Sequence, residues 1–240
     1  VPARSVPREI LEGMAGRVTT EARTVCGGEE PLGLFGGGRA TFERSDAAWV
    51  VADMDLLNRD ELQALAGLEP GRPGLLPRLY ELEGPGFVRR LRGPFALALW
   101  DRRQHSLLLA VDHLGIRRLY YATGNRGPAF ASRLAAVAAA PGQSRVPDPG
   151  AIYDYLNFGF MPAPETPFPA IRRLPPGHIC HVRQGSSRVE PFWDARYPEQ
   201  PHREERAAST LYRLSHHAVS EAVTGLHRAA TAARRRTAVT

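Results

Sequence analysis

The sequence predicts a layered α+β domain of antiparallel sheets followed by an amphipathic helix. Three observations predict it. Residues 94–112 (PFALALWDRRQHSLLLAVD) hold two apolar runs around a charged turn, the signature of a β-hairpin. Neither run alternates cleanly between apolar and polar, so both strands are expected to be covered on both faces. Helical segments flank this hairpin and a second one at 178–192, which calls for helices layered against sheets. Finally, Leu211, Leu214, Ala218, Ala222, Leu226 and Ala229 recur at steps of three or four, the period of an amphipathic helix over 203–236.

The elements follow in order. Residues 5–15 read as a short helix with Ile10, Leu11 and Met14 on one side, and residues 16–46 are glycine-rich and poorly periodic. Residues 48–54 (AWVVADM) read as a strand with an acidic end, and Asn58 is placed to cap a helix running to Leu65. A helix over 75–82, a glycine turn at 83–86 and a short helix over 87–91 lead into the first hairpin. Its strands are 95–100 and 107–111, with the turn at 101–105. Strands at 119–122 and 129–132 are joined by a turn at 123–127, and the alanine-rich run 134–140 is helical up to Pro141 and Gly142. Asp148 then caps a helix with Pro149 at its first position, ending at Gly159. Six prolines between 162 and 176 dictate an extended, rigid loop. Strands at 178–183 and 188–192 form the second hairpin around 184–187. The first domain is expected over 1–197, with a linker and helix over 198–240. Gly225 interrupts that helix at a cost of about 1 kcal/mol, and its apolar face needs a partner.

Composition narrows the function. All 31 basic residues are arginine, against 25 acidic residues and a net charge of +6. A chain without lysine has no Schiff base, no phosphate-loop lysine and no ammonium general base. No apolar run approaches the roughly 18–20 residues of a membrane span, and the first residues lack the apolar stretch of a signal peptide. Cys26 and Cys180 make neither a metal motif nor a disulfide scaffold, so a cytoplasmic setting is expected, with no membrane partner. An arginine-only chain suggests a nucleic-acid-binding module as an alternative of another class. Against it, residues 202–240 hold seven Arg and three Glu, +4 of the total +6, and the remainder is mixed in sign. Only Arg234-Arg235-Arg236 forms a pure cluster, so no nucleic-acid partner is expected.

Several stretches, in this order and spacing, carry a resemblance: LRGPFALALWDRR (91–103), VDHLGIRRLYYA (111–122), FASRLAAV (130–137), YLNFGFMPAPETPFPAIRRLPPGH (155–178) and PFWD (191–194). Together they resemble the N-terminal glutaminase domain of glutamine-hydrolysing asparagine synthetases, well over 48–197 and more weakly over 8–47, through ILEGMAGR. The resemblance implies a four-layer αββα Ntn-hydrolase-like sandwich of two antiparallel sheets. It also implies a cysteine nucleophile at the mature N-terminus, where the chain's own α-amino group acts as general base. Glutamine is attacked, a thioester forms, and ammonia passes to a second domain that activates aspartate with ATP and Mg²⁺.

The sequence departs from that pattern at the site positions. Val1 stands where the family has Cys, so the nucleophile is expected either to be lost or to be missing from this sequence. The family's Asn-Gly-Glu-hydrophobic-Tyr-Asn run, whose Asn side chain and Gly N–H form the oxyanion hole, aligns with Asp53-Met54-Asp55-Leu56-Leu57-Asn58. Loss of one such donor costs about 3–4 kcal/mol of transition-state stabilisation, and a carboxylate in its place should cost more. The family's Ser-Asp-Thr-Glu, whose Asp binds the glutamine amino group, aligns with Gly71-Arg72-Pro73-Gly74, and Arg72 would repel that ammonium. Asp53, Met54 and Arg72 are therefore the substrate-binding positions by resemblance, each substituted, and no catalytic residue is assigned. For the arginine that grips the substrate carboxylate, Arg39 and Arg44 both stand open.

Other candidates weigh less. Cys26-Gly27-Gly28 is similar to the family's Cys-Gly start but lies too near the 48–54 strand, and Cys180 reads as core. His105, His113 and His178 read as structural, Asp112 and Gly115 as an architectural turn, and His216, His217 and His227 lack a metal-binding pattern. No Ser-Gly-Gly-x-Asp-Ser pyrophosphate loop occurs, so ATP and Mg²⁺ belong to the parent family's further domain and no cofactor is expected in this chain. The expected function is an inactive, glutaminase-like scaffold for an ATP-dependent synthetase domain in cis or trans, with a homodimer as a further partner. β-Lactam synthetases and lasso-peptide cyclases are relatives with such a loss. The alternative is a working amidotransferase domain supplying ammonia.

Overall fold

In the strand over Phe95–Asp101, successive side chains enter different clusters: Phe95, Leu97 and Leu99 one, Ala96, Ala98 and Trp100 the other. Alternation across a strand makes this a sheet with apolar matter on both faces, as the unbroken run predicts. The computed structural model describes residue 14 and residues 22–26, 33–37, 40–124, 127–183, 185–196 and 204–237. The fold is α+β, and among the described residues all strand pairs are antiparallel.

The strands are β1 (Ala22–Cys26), β2 (Gly33–Gly37), β3 (Thr41–Arg44), β4 (Ala48–Met54), β5 (Phe95–Asp101), β6 (Ser106–Val111), β7 (Tyr120–Gly124), β8 (Gly127–Ala131), β9 (Arg172–Arg173), β10 (His178–Arg183) and β11 (Ser186–Pro191). The helices are α1 (Arg59–Leu65), α2 (Leu75–Glu83), α3 (Leu134–Ala138), α4 (Pro149–Phe158) and α5 (Glu204–Thr237), with a 3₁₀ helix over Gly84–Arg90. A six-stranded sheet runs β11-β10-β6-β5-β4-β3, a three-stranded sheet β8-β7-β9, and β1 pairs with β2.

Three apolar clusters join these elements. Val50, Leu97 and Ile179 of the large sheet pack with Leu62 of α1, Leu76 and Leu79 of α2 and Phe87 of the 3₁₀ helix. On its other face, Leu109, Cys180 and Val182 meet Leu119, Leu174 and Tyr121, the last from β7. The third cluster gathers Ala122 of β7, Val137 and Ala138 of α3, and Ile171.

Local signals explain most of the boundaries. The Asp148 carboxylate accepts from the Gly150 N–H at 2.9 Å and Pro149 occupies the first turn, as read from the sequence. Asn58 is a correction. It sits at the start of α1, but its side chain makes no cap bond there. Its amide donates to the Arg90 carbonyl and accepts from the Arg92 N–H, tying α1 to the approach to β5. The cap of α2 is non-local: the buried Glu43 carboxylate on β3 accepts from the Leu76 N–H at 2.9 Å, an anion at the positive end of a helix.

The region over 16–46, read as glycine-rich and poorly periodic, contains β1, β2 and β3. Ala22 stands opposite Gly37 and Cys26 opposite Gly33, so pairing rather than apolar periodicity organises it. The glycine turn and short helix read over 83–91 merge into one 3₁₀ helix. Of the helix read at 5–15, only Met14 is described, and it is helical; the rest lies outside the described residues, as do Arg39 and the boundary at Tyr197. α5 runs unbroken through Gly225. Among the described residues, no helix is long and apolar enough to cross a membrane.

Candidate functional site

The end of β4, the start of β5 and the end of β6 lie side by side, because Met54 pairs with Phe95 and Ala96 with Val111. Two loops leave this edge. The one after β6 is built on Asp112, which is 2% exposed. Its carboxylate accepts four backbone N–H bonds: Phe95 at 3.2 Å, Leu114 at 3.1 Å, Ile116 at 3.0 Å and Arg117 at 2.9 Å. Gly115 has φ +66, and a Cβ there would stand 2.8 Å from the Pro176 ring. The Asp112–Gly115 turn is thus architectural, held by charge-assisted bonds on one side and close packing on the other.

Asp53 and Met54 end β4, and the loop after it starts at Asp55. Gly93 presses against it, since a Cβ at Gly93 would come within 2.3 Å of the Asp55 carbonyl. The Asp55 N–H donates to the Pro94 carbonyl and the Leu57 N–H to the Arg92 carbonyl, both at 2.8 Å. Arg117 joins the two loops. Its guanidinium lies 2.8 Å from Asp55 Oδ2 and 3.5 Å from Asp53 Oδ1. Asp53 Oδ1 and Arg117 Nε are buried and make no hydrogen bond. The attraction between Asp53 and Arg117 is therefore ionic, without a directed bond. Two carboxylates and one guanidinium leave this cluster with a net negative charge.

The sequence-derived positions are only partly brought together. Asp53 reaches Arg117, whereas Met54 packs its side chain against the α1–α2 cluster. Arg72 sits in an exposed turn shaped by the buried Gln63, whose amide donates to the Glu69 and Arg72 carbonyls and accepts from the Gly71 N–H. Among the described residues, the Arg72 guanidinium makes no ion pair and does not reach Asp53. Arg44 is exposed on β3 opposite Trp49.

Sequence reasoning missed Arg117, because its partners Asp53 and Asp55 lie more than sixty residues away. It also missed Tyr80, whose hydroxyl donates to Asp101 at 2.6 Å. Burial, then that carboxylate, pushes the Tyr80 pKa up. Asp101 holds the hairpin turn through the Arg103 and Gln104 N–H groups.

Nucleophile candidates are few. Cys180 is buried, and burial pushes its thiol up to about 11, so it is protonated at neutral pH. The side chain of Cys26 lies outside the described residues. His113 is packed against Phe192 and Trp193 at 5.3 and 5.2 Å, and burial pushes its pKa down. Among the described residues, no group of three His, Cys, Asp or Glu could hold a metal ion.

Comparison with known proteins decides the family. The family model described as "Glutamine amidotransferase domain" matches residues 74–193, half of the chain. The chain belongs to this family. As a glutamine amidotransferase domain, it is 29% identical over 156 residues to asparagine synthetase [glutamine-hydrolyzing] 1 of Bacillus subtilis, covering 61% of this chain and 24% of that protein. A putative asparagine synthetase of Mycobacterium bovis is 36% identical over 107 residues, covering 43% of this chain and 16% of that one. Amidase chry2 of Gibberella zeae is 28% identical over 138 residues, covering 51% and 18%. The chain thus spans about a quarter or less of these relatives. A solved glutamine phosphoribosylpyrophosphate amidotransferase from B. subtilis aligns with 64% of this chain and 31% of its own, at a TM-score of 0.41 and 13% identity, too loosely to carry an argument. The family match begins at Gly74, so Asp53 and Met54 at the end of β4 and Arg72 in its turn precede it.

Proposed function

We propose that this glutamine amidotransferase domain has lost glutamine hydrolysis and serves as a scaffold for an ATP-dependent synthetase domain, in cis or in trans. The observation that carries the reading is the Asp53–Arg117–Asp55 cluster. An oxyanion hole works by aiming hydrogen-bond donors at developing negative charge. By resemblance Asp53 stands at such a donor position, and its carboxylate can only accept. Arg117 offsets part of its charge but faces two acids. Met54 and Arg72 are the other substrate-binding positions by resemblance. Arg72 adds a cation where the family places the acid that holds the glutamine ammonium.

The remaining parts of the proposal rest on the fold and on charge. Three clusters in succession, helix with large sheet, large sheet with β7, β7 with α3, support an αββα Ntn-hydrolase-like sandwich. ATP and Mg²⁺ would be bound by the synthetase domain, since the 240 residues contain no Ser-Gly-Gly-x-Asp-Ser loop. Arginines paired with acids, such as Arg90 with Glu83, Arg92 with Glu221 and Arg172 with Glu165, support a protein that takes no nucleic acid. The proposed setting is the cytoplasm.

The test is glutamate release from glutamine by the protein expressed from its full reading frame. The expected result is no release above the buffer background. Thiol-dependent glutamate release that saturates with glutamine would overturn the proposal in favour of a working amidotransferase.

A further inference from the structure

Among the described side chains of α5, which run over 208–224, Glu221 alone is partly buried and the rest are exposed. Its partner is Arg92, 129 residues away in sequence, whose Nη2 donates to Glu221 Oε1 at 2.6 Å. Among the described residues this is the one ion pair between α5 and the rest of the chain. His217, one turn earlier on the helix, stands 3.9 Å from the same oxygen, beyond hydrogen-bond reach. Leu211, Leu214, Ala218 and Glu221 follow at steps of three and four, so they share one face. That face turns its carboxylate to Arg92, yet Leu211 and Leu214 on it remain 67% and 56% exposed. Apolar burial along this stripe therefore does not seat α5, and the ion pair is left to do it.

Arg92 is a firm anchor for such a contact. Its N–H donates to Asn58 Oδ1 at 3.1 Å, and its carbonyl accepts from the Leu57 N–H at 2.8 Å. The next two residues press on the same loop, Gly93 against the Asp55 carbonyl and Pro94 through the Asp55 N–H. The guanidinium thus stands on backbone that is bound to the Asp55–Leu57 loop of the candidate site. The pair itself is open to water, with Arg92 51% and Glu221 34% exposed. An exposed pair of this kind shifts an equilibrium by no more than about fivefold, and salt weakens it. Seated and released forms of α5 are therefore close in population, and a change in the charge around the pair moves the chain between them.

We propose that the Glu221–Arg92 ion pair is a salt-sensitive latch that, when closed, seats α5 beside the Asp55–Leu57 loop and, when open, releases the helix from the domain. The latch stands on the ion pair and the uncovered stripe and not on the state of the glutamine site. It is tested in the 240-residue chain by electron–electron distance measurement between spin labels at Gln104→Cys, on the exposed β5–β6 turn, and Thr224→Cys, on α5. Cys26→Ser removes one competing thiol, and Cys180 is buried and stays in place. At about 0.01 M salt a single narrow distance should dominate. Raising salt to about 1 M shortens the screening length from about 30 Å to about 3 Å and should move the seated-to-released ratio about fivefold toward a broad distribution. Glu221→Gln and Arg92→Gln should each give the broad distribution at low salt, and the exchanged pair Glu221→Arg with Arg92→Glu should restore the narrow one. Helix content by circular dichroism should be the same in every variant. A narrow distance that survives Glu221→Gln or 1 M salt overturns the latch, because other contacts then seat α5. A broad distance in the wild-type chain at low salt, an exchanged pair that restores nothing, or helix content lost with Glu221→Gln overturns it as well.

Discussion

Asp112 and Asp53 lie at the same edge of the large sheet, and the chain treats them in opposite ways. Asp112 is buried and its charge is spread over four backbone N–H bonds. Asp53 is partly exposed, and its buried Oδ1 has no hydrogen bond, only Arg117 at 3.5 Å. The difference is one of backbone. The loop after β6 curls around its carboxylate, so N–H groups converge on it. Beyond Asp53 the chain runs on against Arg92–Pro94, and its N–H groups go to carbonyls. One carboxylate organises a loop, whereas the other is partly offset from a distance by a side chain the first loop supplies.

The largest expected effect breaks the organised side. Asp112→Ala should lose about 3 kcal/mol or more in urea unfolding, because several buried N–H groups lose their acceptor together. A loss below about 1 kcal/mol would show that the loop does not depend on this carboxylate. Arg117→Met should cost less, about 1–2 kcal/mol, because the pair is partly solvated and screened. Adding Asp53→Asn to Arg117→Met should recover part of that loss, read as a coupling energy in a double-mutant cycle; strict additivity would mean Arg117 serves Asp55 alone. Asp53→Asn by itself should change stability by no more than about 0.5 kcal/mol, since it removes an acid that has no directed bond.

The smallest effect near neutrality sets these charged acids against two buried groups kept neutral. Burial holds the Cys180 thiol at about 11, above its ordinary 9.0, and the Tyr121 hydroxyl at about 12, above 10.0. Because the folded values are raised, the unfolded chain releases these protons first as pH rises. The stability is fully present below pH 9, falls as pH climbs through about 11 and 12, and should appear as a declining melting temperature in that window only. Cys180 should likewise resist thiol reagents at neutral pH; labelling at the rate of an exposed cysteine would contradict its burial.

Much of the fold was legible because its causes are local. The two hairpins, the Asp148 cap with Pro149, and the burial of β5 and β6 follow from neighbours in sequence. β1 and β2 were not legible, because glycine-rich strands carry no apolar alternation and exist through pairing. Asn58 was placed correctly but given the wrong partner, since its bonds cross to Arg90 and Arg92, more than thirty residues away. At the site, the substitution at Asp53 was visible from the resemblance. Its counter-ion was not, because Arg117 is 62 residues from Asp55 and nothing in local patterning links them.

By itself the sequence determined the element types, the antiparallel hairpins and the family, because these are written in short-range periodicity, turn chemistry and an ordered set of motifs. It also determined that α4 and α5 would be helices, α5 with an apolar face. The tertiary structure alone decided which apolar faces are covered and which acids are paired. Leu79 and Leu156 look alike in sequence, yet one is fully buried and the other 76% exposed. Burial and ion pairing depend on what the rest of the chain brings within a few ångströms, and periodicity along one helix does not encode that.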